Sequence, residues 1–214
     1  GAGLGTSGGS IQAGIRENNY LGKGISLNTN LALSSESVQG IFSVTNPNFN
    51  NSDKSLYGTL EVTELDKLTV SGYKNNKAGF VFGTDFEYKD DLTVGFGNSN
   101  YYEKISTNST ASATQKKQSG NYWDSFLKFN LFYDKRNQKF EANKGFLNSY
   151  RSNIPLISDN NTFTNSFESK FFTELYENNI STFSILLKAS NSITNDDIKL
   201  SERLFVPSKK LRGF

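Results

Sequence analysis

The last residues of the chain combine side chains that could fix a loop inside a protein. Arg212 follows Leu211 and precedes Gly213 and Phe214. A guanidinium offers a planar set of N–H donors that matches a buried carboxylate, and a glycine lets the backbone approach a wall closely, against which Phe214 can wedge. These residues predict a loop that is tethered through its arginine. Because so short a motif also recurs by chance, an ordinary surface loop remains an open alternative.

The glycine-rich start of the chain fits two short motifs that bind phosphate or carry a nucleophile. Residues 3–8 fit G-x-G-x-x-G, and residues 5–9 fit G-x-S-x-G. Either motif requires a helix to follow, but residues 11–16 alternate between apolar and polar types, which predicts a strand. The chain also contains no His and no Cys, so it lacks the usual general base and the thiolate metal ligands. We therefore expect no enzyme activity, no cofactor and no metal site.

The composition favours a protein made of β-strands. The 214 residues include 18 Phe, 10 Tyr and 18 Gly but only 3 Pro, which fits many strands joined by polar turns. The formal net charge of +2 is too small for the concentrated basic patch typical of nucleic-acid binding. The sequence has no apolar run near the ~18 residues of a membrane helix, but a transmembrane β-strand needs only ~9–11 residues.

Segments with period-two alternation recur along the chain and predict about eleven strands, with no helix longer than two turns. The clearest segment is 78–88, in which aromatic residues occupy one face and Gly, Val and acidic residues the other. Residues 105–122 form the longest polar stretch, which we interpret as an exposed loop. The side chains predicted to project outward are Phe80, Phe82, Phe86, Leu127, Phe129, Leu131, Phe163, Phe167, Phe171, Phe183, Ile185 and Leu187.

Two architectures share this alternation. In a soluble sandwich the apolar faces of two sheets meet in a dry core, whereas in a membrane barrel they face lipid and the polar faces line a lumen. The polar faces here carry mainly Gly, Ser, Thr and Asn, and aromatic residues gather toward strand ends, as in the girdles of membrane barrels. The barrel is favoured. The aromatic residues near predicted strand ends are Tyr20, Tyr57, Tyr73, Tyr88, Tyr101, Tyr102, Trp123, Tyr133 and Tyr176.

Blocks of sequence in a fixed order resemble the BamA family of outer-membrane assembly factors. Collinear matches over the whole chain are more specific than any one motif. The sequence departs from the family pattern at residues 140–145, which lack a proline, and at residues 206–210, which lack a glycine-rich turn. The matching blocks are the glycine-rich start and residues 12–24, 43–49, 55–58, 133–145 and 202–214. The family-motif positions within them are Asn46, Pro47, Phe49, Asp134, Arg136 and Gly145.

The resemblance implies an antiparallel transmembrane β-barrel in the bacterial outer membrane. Residues 1–214 would be its N-terminal two-thirds, an incomplete barrel of about eleven strands with POTRA domains before it and further strands after it. Residues 201–214 would contain the R-G-F loop that folds back into the lumen, where carboxylates from later strands hold Arg212. Four carboxylates within this chain could also face the lumen, but their spacing does not bring them to a common point. They are Asp85, Glu87, Asp134 and Glu168.

The resemblance also implies an insertase, which accepts unfolded β-barrel proteins and promotes their folding into the outer membrane. In the family the first strand lies at the seam of the barrel and pairs with the client. Its glycines give it little side-chain packing, which suits an exchange of partners. The implied partners are outer-membrane lipids, unfolded β-barrel clients and accessory assembly lipoproteins, with no nucleic acid. The residues assigned to this client-pairing edge are Gly1, Ala2, Gly3, Leu4, Gly5 and Thr6.

Other functions fit part of this pattern. A passive diffusion porin or a structural barrel would have similar strands, and Arg212 would then be a pore charge. TamA-like proteins and secretion transporters belong to the same superfamily as BamA. A soluble adhesin-like sandwich would need two inner faces of matching volume.

Overall fold

The protein, described here by a computed structural model, consists of one antiparallel sheet. The structure describes residues 2–5, 8–159, 161–177, 179–194 and 197–204. Eleven strands lie in sequence order, each paired with the next along the chain. The predicted all-β antiparallel architecture is confirmed. The strands are β1 (Ala2–Gly5), β2 (Gly8–Tyr20), β3 (Ile25–Ser34), β4 (Ser37–Asn46), β5 (Lys54–Lys67), β6 (Tyr73–Lys89), β7 (Leu92–Thr107), β8 (Gly120–Asp134), β9 (Gly145–Ser158), β10 (Thr162–Tyr176) and β11 (Asn179–Ser192).

Helices are short and lie between strands. The structure contains α1 (Leu68–Ser71), α2 (Ala113–Lys117) and two 3₁₀ turns, Phe49–Asn51 and Leu200–Glu202. The prediction of no helix longer than two turns therefore holds for the described residues. No helix in this part of the chain is long and apolar enough to cross a membrane.

The polar stretch 105–122 is more ordered than its interpretation as a loop suggests. Its two ends belong to β7 and β8, and α2 lies between them. A capping box starts this helix: the Ser112 hydroxyl accepts from the Gln115 N–H at 3.2 Å, and the Gln115 side chain accepts from the Ser112 N–H at 2.8 Å. The loop prediction was wrong in extent, because β7 runs to Thr107, β8 begins at Gly120, and the S-x-x-Q spacing starts a helix between them.

The strand register places all twelve predicted outward residues on one face of the sheet. Directly paired residues of an antiparallel sheet share a face, so pairing extends a face from strand to strand. In one such series, Phe86 pairs with Val94, Val94 with Leu131, Leu131 with Tyr150, Tyr150 with Phe167, and Phe167 with Leu187. This face is apolar and open, as shown by Phe82, which is 52% exposed.

The opposite face is polar and concave. Side chains from β6 to β11 line one cavity on this face, so the sheet curves around it. Only six apolar side chains among the described residues are buried, which is too few for the dry core of a two-sheet sandwich. The sandwich alternative is therefore excluded as an architecture. The residues that represent the six strands in the cavity wall are Lys77, Ser99, Lys128, Arg151, Ser166 and Lys188.

Three of the predicted girdle aromatics, Tyr57, Tyr73 and Tyr101, belong to this inner face; Tyr73 shares its side of β6 with Lys77. Tyr57 pairs with Gly83, and a Cβ at Gly83 would lie 2.5 Å from the Tyr57 hydroxyl. Tyr101 pairs with Gly79, and the Lys77 ammonium lies 4.0 Å from its ring centroid. The girdle prediction was wrong for these three residues, and the rings of Tyr57 and Tyr101 each fill the space above a glycine on the adjacent strand.

Candidate functional site

The first strand forms one end of the sheet. The structure describes β1 over Ala2–Gly5. This strand pairs with β2 in the register Ala2–Ile11 to Gly5–Gly8, and β1 and β11 each have a single neighbour among the described residues. The predicted edge residues Ala2, Gly3, Leu4 and Gly5 make up this strand, while Gly1 and Thr6 lie outside the described residues.

Glycine faces glycine in this terminal hairpin. Gly5 pairs with Gly8, and Leu4 pairs with Gly9. Cross-strand side-chain pairs supply much of the stability of a sheet, so a pairing with so few side chains is weak. β2 continues for nine residues beyond this pairing, from Gln12 to Tyr20. Among the described residues, β1 is joined to the sheet by its backbone pairing with β2.

The chain returns across the inner face after β11. Gln118, which lies between α2 and β8, donates from Nε2 to the Ile198 carbonyl at 3.1 Å and accepts from the Leu200 N–H at 2.9 Å. Ser190 on β11 donates to the Glu202 carbonyl at 3.1 Å. Residues 197–204, which we call the loop root, are thus attached both to the β7–β8 connection and to β11.

A buried charge cluster lies under the loop root. Lys199 Nζ is 2.7 Å from Glu103 Oε2 and 3.8 Å from Glu202 Oε1, and it also contacts Asp124 Oδ2. Burial opposes the charge on Lys199, but the attraction of Glu103 and Glu202 and the hydrogen bonds to the carboxylates outweigh this opposition and raise its pKa. Burial also raises the pKa of Glu202. Sequence reasoning missed this cluster, because nothing in the local pattern distinguishes Lys199 from a solvated lysine.

The predicted carboxylates take other roles. Asp134 binds Arg136, Glu168 lies 3.3 Å from Lys170, and Glu87 accepts from the Asp91 N–H at 3.0 Å. Asp85 lines a separate part of the inner face with Lys128. These groups do not converge on one point, as the sequence predicts. The predicted anchor of Arg212 concerned the loop motif Leu211, Arg212, Gly213 and Phe214. These four residues lie outside the described residues.

The family-motif positions form turns at the end of the sheet opposite the loop root. Strands alternate in direction, so even-numbered strands end at one side and β11 ends at the other. Asn46 ends β4 and accepts from the Asn48 N–H at 3.3 Å, Pro47 follows it, and Phe49 opens a 3₁₀ turn. These residues reverse the chain between β4 and β5.

Asp134 and Arg136 shape the β8–β9 connection. The guanidinium binds the carboxylate through two bonds, Nε to Oδ1 at 2.8 Å and Nη2 to Oδ2 at 2.7 Å, and donates to the Lys139 carbonyl at 3.0 Å. The hydrogen bonds that Arg136 donates to Asp134 raise the pKa of Arg136. Gly145 then opens β9 with φ +103°. This connection is fixed by a fork-shaped ion pair that lysine could not reproduce.

Comparison with known proteins identifies the family of this chain. The Omp85 superfamily domain matches residues 19–214. The chain belongs to the Omp85 superfamily. No curated protein sequence matches it.

A solved Omp85 structure has the same fold. BamA from Haemophilus ducreyi lacking POTRA domains 1–3 superposes with a TM-score of 0.77 at 20% sequence identity, over 91% of this chain and 41% of the BamA chain. This chain thus spans less than half of that protein's length. The predicted resemblance is confirmed as Omp85 membership and as a BamA-like barrel fold, which identify an outer-membrane type of barrel.

Proposed function

We propose that this Omp85 protein is an assembly factor that folds β-barrel proteins and inserts them into the bacterial outer membrane. The observation that carries the proposal is the pairing of β1, which has a single neighbour among the described residues and in which Gly3, Gly5, Gly8 and Gly9 occupy three of the four cross-strand pairs. A strand of this kind can release one partner and accept another at low energetic cost.

The physical problem solved by such an edge is the unpaired backbone of a nascent barrel. Each unsatisfied N–H or C=O group in hydrocarbon costs several kcal/mol, so a client sheet cannot enter lipid with a bare edge. A client strand that pairs with β1 satisfies its backbone groups by β-augmentation while it crosses the membrane. The protein makes and breaks no covalent bond in this process, and we infer no cofactor and no enzymatic activity.

The partners follow from the two faces and the edge. The apolar outer face fits the hydrocarbon of outer-membrane lipids, and the edge fits an unfolded β-barrel client. Accessory lipoproteins complete the proposed assembly machinery by analogy with the BamA family. The proposal includes no nucleic acid, in line with the formal net charge of +2.

A transport function is the second candidate. Lys77, Lys128 and Arg151 line the inner cavity and would favour the passage of small anions through a water-filled lumen. A passive porin or a secretion transporter of the same superfamily would use this inner face. The assembly proposal uses the edge of the sheet, so the two functions can be separated by experiment.

The test compares client folding with ion flux. Vesicles of phosphatidylcholine and phosphatidylethanolamine carry the full-length protein or no protein, and an unfolded barrel client is added. We expect the protein to accelerate client folding about tenfold or more, corresponding to about 1.4 kcal/mol or more of barrier. Folding is followed by the gel-mobility difference between unheated and heated client. Rapid chloride release without faster client folding would contradict the assembly proposal and favour the transport function.

A further inference from the structure

We infer that Lys199 is a positioning residue, whose ammonium locks the loop root, residues 197–204, to strands β7 and β8. The partners lie far away in sequence: Asp124 is 75 residues from Lys199. Glu103 comes from β7 and Asp124 from β8, so the lysine ammonium bridges carboxylates on two adjacent strands of the sheet. This inference concerns the position of the loop and does not depend on the proposed assembly function.

The charges of the cluster make the lysine necessary. One ammonium faces the carboxylates of Glu103, Asp124 and Glu202. The side chains of Lys199 and Glu103 are 1% and 0% exposed, so water contributes almost nothing to their stabilisation. Without the ammonium, the cluster would hold buried carboxylates with no cation among them, which is strongly unfavourable.

Neighbouring groups orient the carboxylates toward the lysine. The Ser201 hydroxyl donates to Glu103 Oε2 at 2.9 Å, and the Ser158 hydroxyl donates to Asp124 Oδ1. The Lys199 ammonium also lies 5.0 Å from the centroid of the Tyr122 ring. Because one carboxylate ligand is itself bonded to the loop root through Ser201, movement of the root would break the whole arrangement.

The backbone of Lys199 is anchored as firmly as its side chain. Its carbonyl accepts from the N–H groups of Glu202 at 2.9 Å and Arg203 at 3.2 Å, which closes the 3₁₀ turn. Gln118 binds the backbone on either side, at Ile198 and Leu200. Lys199 is therefore the point at which the direction of the returning chain is set relative to the barrel wall.

A cysteine at Leu200 provides the readout. Leu200 is only 8% exposed beside the lock, and residues 1–214 contain no cysteine. With any cysteine outside these residues replaced by serine, Leu200→Cys gives a single thiol whose reaction with a water-soluble maleimide reports opening of the root. The full-length protein in detergent micelles carries this thiol in four forms: unchanged, Lys199→Met, the triple variant Lys199→Met/Glu103→Gln/Asp124→Asn, and the control Lys117→Met on exposed α2.

The lock predicts a coupling between the lysine and its carboxylates. We expect Lys199→Met to raise the labelling rate roughly tenfold or more, and the triple variant to return it to within about threefold, because removal of the unpaired carboxylates relieves the repulsion. The Lys117→Met control should label like the parent. Folding of each variant is checked by gel mobility.

Each alternative outcome decides the inference. If Lys199→Met fails to fold while the triple variant folds, the same coupling is shown at the level of folding and the lock is supported. Unchanged labelling in Lys199→Met would overturn it. The lock would also be overturned if the triple variant labels as fast as Lys199→Met. It would be overturned as well if both Lys199→Met and the triple variant fail to fold while the Lys117→Met control folds. None of these readouts uses client assembly, so a failure of the proposed function leaves this result unaffected.

Discussion

Phe82→Arg should destabilise the protein in a bilayer by about 2–4 kcal/mol, provided that Phe82 lies near the bilayer midplane. Phe82 is on the apolar outer face, pairs with Gly58 and Asn98, and is 52% exposed when no lipid covers it. An arginine at this position would place a guanidinium in hydrocarbon, where no water or carboxylate compensates its charge. The measurement is the urea dependence of folding into phosphatidylcholine vesicles, with free energies taken from reversible transitions.

The matched control is Thr59→Arg. Thr59 pairs with Val81, the residue before Phe82 on the neighbouring strand. It therefore lies close to the membrane depth of Phe82 but points to the inner face. An arginine there enters a polar lumen, and we expect a change within about 1 kcal/mol, since lumen substitutions of this kind affect selectivity more than folding. Equal effects of the two substitutions would contradict the assignment of the outer face to lipid.

Gly145→Ala should cost about 1–3 kcal/mol in backbone strain alone, with a further loss from steric conflict. Gly145 has φ +103°, which lies outside the left-handed helical region that other residues tolerate. A Cβ at this position would lie 2.1 Å from the Lys135 carbonyl oxygen, which belongs to the same connection as Arg136. The β8–β9 turn would have to open to admit a methyl group.

Gly24→Ala is the control for this prediction. Gly24 has φ +68°, in the left-handed helical region, and nothing lies within 4 Å of a Cβ placed on it. Its substitution should cost only about 1–2 kcal/mol. Both variants are compared by their urea midpoints in detergent micelles. If Gly145→Ala were no more destabilising than Gly24→Ala, the close approach to Lys135 would not be what requires glycine.

The strands and their faces could be predicted from the sequence because period-two alternation is a local property. Phe80, Phe82 and Phe86 share a face in any strand that contains them, whatever the rest of the chain does. Tyr57 and Tyr101 were misplaced for the opposite reason. Their position was judged from distance to a strand end, whereas their side is set by register with Gly83 and Gly79 on β6.

The loop root could not be predicted from local pattern. Lys199 gains its role from Glu103 and Asp124, which reach it only after the sheet has curved and the chain has returned across its inner face. The helix α2 was predictable in principle, since Ser112 and Gln115 have capping-box spacing. The turn at Asp134 and Arg136 was found through family resemblance. The structure shows that the two side chains form an ion pair within this turn.

The most direct test of the assembly proposal is covalent capture of a client on β1. The full-length protein carries Leu4→Cys and meets, in assembly vesicles, an unfolded barrel client with one cysteine in its last strand. Residues 1–214 contain no cysteine, and any cysteine elsewhere in the full-length protein is replaced by serine, so a disulfide between the two proteins is specific to these positions. The control is Val94→Cys on β7, a strand paired on both sides, with Phe86 and Leu131 opposite this residue. The account predicts a disulfide at Leu4→Cys that appears during client folding and is absent at Val94→Cys. Equal capture at both positions, or client folding without capture on β1, would contradict it.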